Sequence, residues 1–260
     1  MNLKFLSLPE TQRQRAIQEA AVRRGISPVI MEKDFWVCYI LSILFRCDFG
    51  KSLVFKGGTS LSKVFGAINR FSEDIDLSLS PEFLDLPLPG SSRNQANKWM
   101  TRAEAACIEM VRNTIMPELS QQVADALSTA KDLDRNLERI EFEIDSQTNS
   151  PVLLFHYPTT QPSGFDYLKR SVKLEFGSLT EQRPTGQHKV STWLSGCSSR
   201  CFHSSTLRPR ASVLMKYSEV RCSPSMRCVS ALVPNSERQP RSPIETRSRA
   251  LINDFHQLVS

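Results

Sequence analysis

Glycine is scarce in this 260-residue chain, at 10 residues, and tryptophan and tyrosine are rarer still, at 3 and 4. So few glycines exclude a collagen-like repeat, and 40% hydrophobic with 23% charged residues excludes a wholly disordered chain. Long hydrophobic runs are missing as well: the longest, Trp36 to Phe45, is too short to cross a bilayer. The opening MNLKFLSLPETQRQ turns polar before any sizeable apolar stretch and does not read as a secretion signal. These absences predict a soluble, cytoplasmic protein with no membrane partner, built as one large domain or as a core with an appendage.

Net charge is present, at +6, but it is unevenly placed. Residues 1–196 carry 23 Lys and Arg against 23 Asp and Glu, whereas residues 197–250 carry 10 against 3. Those 54 residues also hold 12 Ser, 9 Arg, 5 Pro and 4 of the 7 Cys, which marks a break in composition. The break divides the chain into a balanced core, 1–196, and an atypical basic tail, 197–260. An odd number of cysteines with no export signal argues against a disulfide framework. The spacings among Cys197, Cys201, Cys222 and Cys228 match neither a zinc ribbon nor a finger.

Residues 9–24 have apolar Ala16, Ile17, Ala20 and Ala21 on one face, which predicts a helix stopped by Gly25. Ser27 and Pro28 supply a cap and a first-turn proline for a second helix, apolar on most faces after Phe35 and therefore buried. A strand is predicted at 52–55, then a short helix after Lys56-Gly57-Gly58, capped by Thr59 or Ser60. A strand at 75–79 follows, then a loop over 81–95. Residues 97–128 read as long helices kinked at Pro117. Further strands are predicted at 139–145 and 152–157, whose spacing makes them a hairpin through 146–151, and in VKLEF near 172–176. This order gives an α+β fold.

The segment 55–79, FKGGTSLSKVFGAINRFSEDIDLSL, carries the chemistry. Residues two apart in a strand share a face, so Asp74 and Asp76 project together while Ile75 and Leu77 face the core. A paired carboxylate suits a hard cation such as Mg²⁺, which takes one or two carboxylates and completes its shell with phosphate and water. Gly57 and Gly58 leave their backbone N–H groups open to an anion. Taken singly, a glycine pair is an ordinary turn and DID an ordinary solvated edge; their order and separation favour metal-assisted phosphoryl or nucleotidyl transfer. Gly50-Lys51-Ser52 imitates the end of a phosphate-binding P-loop, but Phe45 stands where that loop needs glycine.

With EKDFWV (32–37) before it and YLKRSVKLEFG (167–177) after it, GGTSLSKVF…RFSEDIDLSL resembles the AbiEii toxin family of nucleotidyltransferases, itself similar to the DNA polymerase beta superfamily. The resemblance covers roughly residues 25–190. It implies a mixed sheet flanked by helices and a toxin of a toxin–antitoxin, phage-defence system. It implies that Gly57, Gly58, Thr59 and Ser60 hold the triphosphate of an NTP and that Asp74 and Asp76 bind Mg²⁺ or Mn²⁺. Lys173 would contact phosphate and Glu175 would be the third carboxylate; Lys56 and Ser72 would line the site. The implied partners are an RNA or protein hydroxyl as acceptor of the nucleotide and a DNA-binding antitoxin. Lys33 and Asp34 read equally as a salt-bridged helix turn or as site residues, and Tyr167 and Arg183 as residues framing the acceptor side.

The resemblance stops near Trp193. The tail is open to three readings: a disordered RNA-binding arm, a divergent subdomain, or a shifted reading frame. Loss of the usual C-terminal helices would make the chain a catalytically inactive relative that binds RNA or a partner, the alternative to an active transferase.

Overall fold

A computed structural model of the chain describes residues 5–64, 71–87, 92–128, 139–161, 169–178, 185–197 and 213–218. The chain divides into two compact units, 1–220 and 221–260, and every described residue belongs to the first. Tyr167, Arg183 and most of the basic tail lie outside the described residues.

Helix α1 (Glu10–Arg24) closes on Gly25 in the left-handed conformation, φ 67°, whose N–H and that of Ile26 return to carbonyls of the last turn. Helix α2 (Pro28–Leu44) starts as its sequence dictates: the Ser27 hydroxyl accepts from the Val29 N–H and Pro28 needs no N–H partner at that position. From Met31 to Leu44 every residue of α2 is buried, so the helix is the axis of the core. Its Phe35, Trp36 and Tyr39 form an aromatic cluster with Phe155 and Tyr157, with ring centroids 5.2–6.5 Å apart.

Seven strands form one mixed sheet: β1 (Leu53–Lys56), β2 (Asp74–Leu79), β3 (Arg139–Ile144), β4 (Pro151–His156), β5 (Ser171–Gly177), β6 (Thr185–Val190) and β7 (Val213–Ser218), in the order β3-β4-β5-β2-β1-β7-β6. β2 runs parallel to β5, and β1 to β7; the other neighbours are antiparallel. The short helix α3 (Gly57–Lys63) links β1 to β2. Helices α4 (Arg93–Met110) and α5 (Met116–Leu127) are continuous through a π-helical turn at Val111–Ile115. Pro117 has no N–H to offer residue 113, and the wider turn just before it absorbs that loss where the sequence predicts a kink.

The pleat sorts the central strands into two faces. Phe55, Ile75, Leu77, Leu174, Phe176, Leu153 and Phe155 point to one side and are buried under α2 and α5. Lys56, Asp74, Asp76, Lys173 and Glu175 point to the other. A one-residue slip in β2 would exchange these sets, so burial of the apolar set fixes where the carboxylates appear.

Two departures from the sequence-based expectation concern the elements. β6 has almost no apolar alternation, with Thr185, Gln187 and Lys189 exposed, and β7 lies C-terminal to the compositional break at 196, yet both belong to the sheet. Helix α3 begins at Gly57 itself, without a side-chain cap, so Thr59 and Ser60 sit inside its first turn rather than before it.

Cys38, Cys47 and Cys107 are buried thiols, and burial pushes each up to about 12, which excludes them as nucleophiles near neutral pH. Among the described residues no helix is long and apolar enough to cross a membrane.

Candidate active site

The site grows from the register of three strands. Lys56 on β1 is directly opposite Asp76 on β2, and Asp76 is opposite Glu175 on β5. One step along, Asp74 is opposite Lys173. Five charged side chains from positions far apart in the chain thus share one face of the sheet.

Gly57 is indispensable to this geometry for two reasons. Its φ of 74° is a left-handed conformation that side chains disfavour, and a Cβ built there would lie 1.8 Å from Asp76 Oδ2 and 2.6 Å from its Cγ. The carboxylate of Asp76 therefore fills the place where a side chain on Gly57 would be. Gly58 is less constrained: a Cβ there would meet only Ser72 Oγ, at 3.7 Å, which puts Ser72 beside the glycine turn. The Thr59 hydroxyl donates to the Asp74 carbonyl oxygen and the Ser60 hydroxyl to the Gly57 carbonyl at 2.8 Å. Both side chains are buried; the Thr59 hydroxyl fastens the glycine turn to β2, and the Ser60 hydroxyl braces the turn from within.

The electrostatics are those of crowded carboxylates. Burial, then repulsion by Glu175, holds Asp76 above the ordinary aspartate value against the pull of Lys56. Asp74 is also raised, by burial first, with Lys173 opposing. Desolvation lowers Lys56 against the attraction of Asp76 and Glu175. Lys173 Nζ donates to Glu175 Oε2 at 3.0 Å and to Asp145 Oδ2 at 3.1 Å. Burial works to lower its ammonium, but these two bonds outweigh it and hold it above the usual lysine value.

Behind the site, three successive charged residues of α2 point in three directions, and each grips a different segment. Glu32 accepts from the Thr160 N–H and hydroxyl, both at 2.8 Å, and from the Thr159 hydroxyl. Lys33 donates to Glu73, the residue before Asp74, and to the Lys169 carbonyl at 3.0 Å, tying the approach to β2 to the approach to β5. Asp34, fully buried, accepts from Lys63 at the end of α3, from the Thr192 hydroxyl at 2.9 Å and from the Trp193 N–H at 2.8 Å. Of the two readings of Lys33 and Asp34, the structure shows the ion pairs, buried rather than solvated. They position the site without lining it.

Asp145 and Glu73 are the neighbours of the site that sequence reasoning missed. DSQTNS after a strand signals a turn, but the bond from Asp145 to Lys173 spans 28 residues and has no local pattern.

Among the described residues, no group of three or more His, Cys, Asp and Glu is placed to hold a metal ion. The two carboxylates of Asp74 and Asp76 nonetheless suit a magnesium ion that keeps most of its shell for phosphate and water. They are oxygen donors on one face, raised in pKa first by burial, and beside a glycine that leaves room for Asp76.

No curated protein sequence matches the chain. A solved chain, MenT4, the nucleotidyltransferase toxin Rv2826c from Mycobacterium tuberculosis H37Rv, is similar at 18% identity over 71% of this chain, with a TM-score of 0.35. The matched region spans 48% of that toxin's own length, and at this TM-score the likeness says nothing of activity. The family profile described as nucleotidyl transferase AbiEii toxin, type IV toxin–antitoxin system, matches residues 39–217. The matched range holds the glycine pair, the paired aspartates and VKLEF, and it runs past the compositional break into β7. The chain belongs to the AbiEii family of nucleotidyl transferase toxins.

Proposed function

We propose that the protein transfers a nucleoside monophosphate from an NTP to a hydroxyl of RNA or protein, in a metal-dependent reaction, as the toxin of a toxin–antitoxin pair. The observation that carries this reading is the close fit of Asp76 into the space above Gly57, with Asp74 on the same face. A carboxylate pair against a bare glycine turn brings a metal-bound triphosphate and backbone N–H donors to one point.

Asp74 and Asp76 would hold the metal. When bound there, a divalent ion supplies charge neutralisation at the α-phosphate and lowers the barrier to attack by the acceptor oxygen. The chain's own residues do the rest. The backbone of Gly57 and Gly58 admits the outgoing phosphates at close range, with Ser72 beside it. Thr59 and Ser60 keep that turn rigid, which is a positional contribution because neither hydroxyl is exposed. Lys173 and Lys56 bring two ammonium groups to the face where negative charge accumulates as the bond to pyrophosphate breaks. Glu175 sits between them, opposite Asp76 and bonded to Lys173, where it orients the lysine and adds a third carboxylate to the site.

The acceptor hydroxyl attacks the α-phosphorus in line and gives up its proton to solvent, its oxygen forms the new ester bond, and the bond to pyrophosphate breaks as pyrophosphate leaves. Cytoplasmic action, a DNA-binding antitoxin partner and a role in phage defence accompany this reading through the family. The test uses α- and γ-phosphorus-labelled NTPs with Mg²⁺ and either total RNA or protein extract. Label on a macromolecule from the α position alone supports nucleotidyl transfer. Label from the γ position, or phosphate release with no acceptor labelled, contradicts it.

A further inference from the structure

The turn between β3 and β4 places one more carboxylate beside the site. Asp145 Oδ1 accepts from the Gln147 N–H at 3.0 Å and the Thr148 N–H at 3.1 Å, which leaves Oδ2 to accept from Lys173 Nζ. The turn itself is closed by two backbone bonds of 2.9 Å, Asp145 N–H to the Ser150 carbonyl and Asn149 N–H to the Asp145 carbonyl. Asp145 is thus fixed by its own turn before Lys173 reaches it. We propose that Asp145 is a positioning residue that anchors Lys173 for contact with the nucleotide's phosphates.

This inference rests on the reading of the site as a nucleotide-binding one. A lysine side chain has four rotatable carbons and a strongly hydrated head, so one partner does not fix it. With Glu175 alone, two residues away on the same strand, the ammonium would be drawn along β5 toward the row of Glu175 and Asp76. Asp145 follows Glu143, which lies across β4 in the row of Glu175, so it draws the ammonium the same way from a second strand, and the two bonds of 3.0 and 3.1 Å together fix Nζ on the Glu175 side of its own row. The two backbone N–H donors, then Lys173, keep the Asp145 carboxylate well below the usual aspartate range, so the anchor is charged at any working pH.

Asp145→Asn separates this role from a purely local one. The asparagine oxygen still accepts the two N–H bonds that shape the turn, but its amide then presents an N–H donor to the Lys173 ammonium, itself a donor. The turn survives and the anchor is lost. Asp145→Ala loses both.

The experiment measures Mg²⁺–NTP binding by calorimetry, each of the four NTPs in turn, with Tm as the check on folding, for the wild type, Asp145→Asn, Asp145→Ala, Lys173→Met and the Asp145→Asn/Lys173→Met pair. The inference predicts that Asp145→Asn melts like the wild type and binds nucleotide about tenfold more weakly, as Asp145→Ala does. It also predicts that adding Asp145→Asn to Lys173→Met weakens binding no further. Wild-type binding by Asp145→Asn, with weakening only in Asp145→Ala, would assign Asp145 to the turn alone and overturn the inference, as would losses that add in the double variant. A wild-type protein that binds NTP but labels no acceptor sinks the proposed reaction while these comparisons still decide the role of Asp145; one that binds no NTP sinks both.

Discussion

Replacing Gly57 by alanine tests the construction of the site at its tightest point. A φ of 74° costs an alanine about 1–2 kcal/mol relative to glycine. The new Cβ also falls 1.8 Å from Asp76 Oδ2, far inside any tolerable contact, so the carboxylate must leave its position. Displacing that side chain from a staggered well adds about 1 kcal/mol. At ~2–4 °C per kcal/mol for a domain of this size, the combined effect is a fall in Tm of roughly 5–10 °C. The protein should remain folded, but transfer of label should drop to the level of Asp76→Ala, since the same carboxylate is lost. A thermal-shift series with label transfer on the same preparations reads both. The double variant Gly57→Ala/Asp76→Ala sharpens the test, because removing the carboxylate leaves the backbone strain and one Cβ–Cβ contact of 2.9 Å, and the second substitution should recover part of the lost Tm. Gly58→Ala provides the contrast: its nearest neighbour is at 3.7 Å and alanine is the better helix former by about 1 kcal/mol, so its Tm should hold or rise. Wild-type Tm and transfer in Gly57→Ala, or an equal loss of Tm with and without Asp76, would refute the reasoning.

Other expectations follow from the charges. In metal-free protein, Asp76→Asn should raise Tm at pH 7, because burial and Glu175 hold the Asp76 pKa above its unfolded value. A carboxylate raised in this way loses native-state stability as pH climbs from the unfolded value through the folded one, so the gap between variant and wild type should widen over that window and close below it. Equal or lower stability of the variant at pH 7 in EDTA contradicts the assignment. Asp34→Ala strands the buried Lys63 ammonium, which burial, then Arg24, already lowers to about 7, and should cost about 3–5 kcal/mol in urea unfolding. The Asp34→Ala/Lys63→Met pair should recover much of that, and a loss below about 1 kcal/mol for Asp34→Ala alone would show that the ion pair does not hold α3 to α2.

The parts of this protein that could be read from sequence are those whose physics is local. Ser27-Pro28 and Gly25 announce helix ends through backbone requirements that no distant residue changes. The alternation of Asp74-Ile75-Asp76-Leu77 dictates opposite faces, and the buried Ile75 and Leu77 hold the strand to that choice. Gly57 was legible as a turn; that it must be glycine because Asp76 occupies its side-chain position is a tertiary fact. Thr59 and Ser60 look like cap residues, but once Gly57 takes the left-handed turn the helix starts at least three residues early and their hydroxyls turn to the Asp74 and Gly57 carbonyls. Lys33 and Asp34 read equally as a salt-bridged helix turn or as site residues because nothing nearby in sequence shows their partners, which come from Glu73, Lys63 and Thr192. β6 shows too little apolar alternation to be seen as a strand, and β7 is hidden in a segment whose Ser, Arg and Pro content masks its six residues.

The central claim is that Asp74 and Asp76 serve one nucleotidyl-transfer site on this sheet face. The most direct measurement is transfer of α-phosphorus label from NTP and Mg²⁺ to total RNA or protein by the wild type, Asp74→Ala and Asp76→Ala. The account predicts labelled product from the wild type and none from either variant, with all three proteins folded. Equal labelling by the three, or none by a folded wild type supplied with all four NTPs, contradicts it.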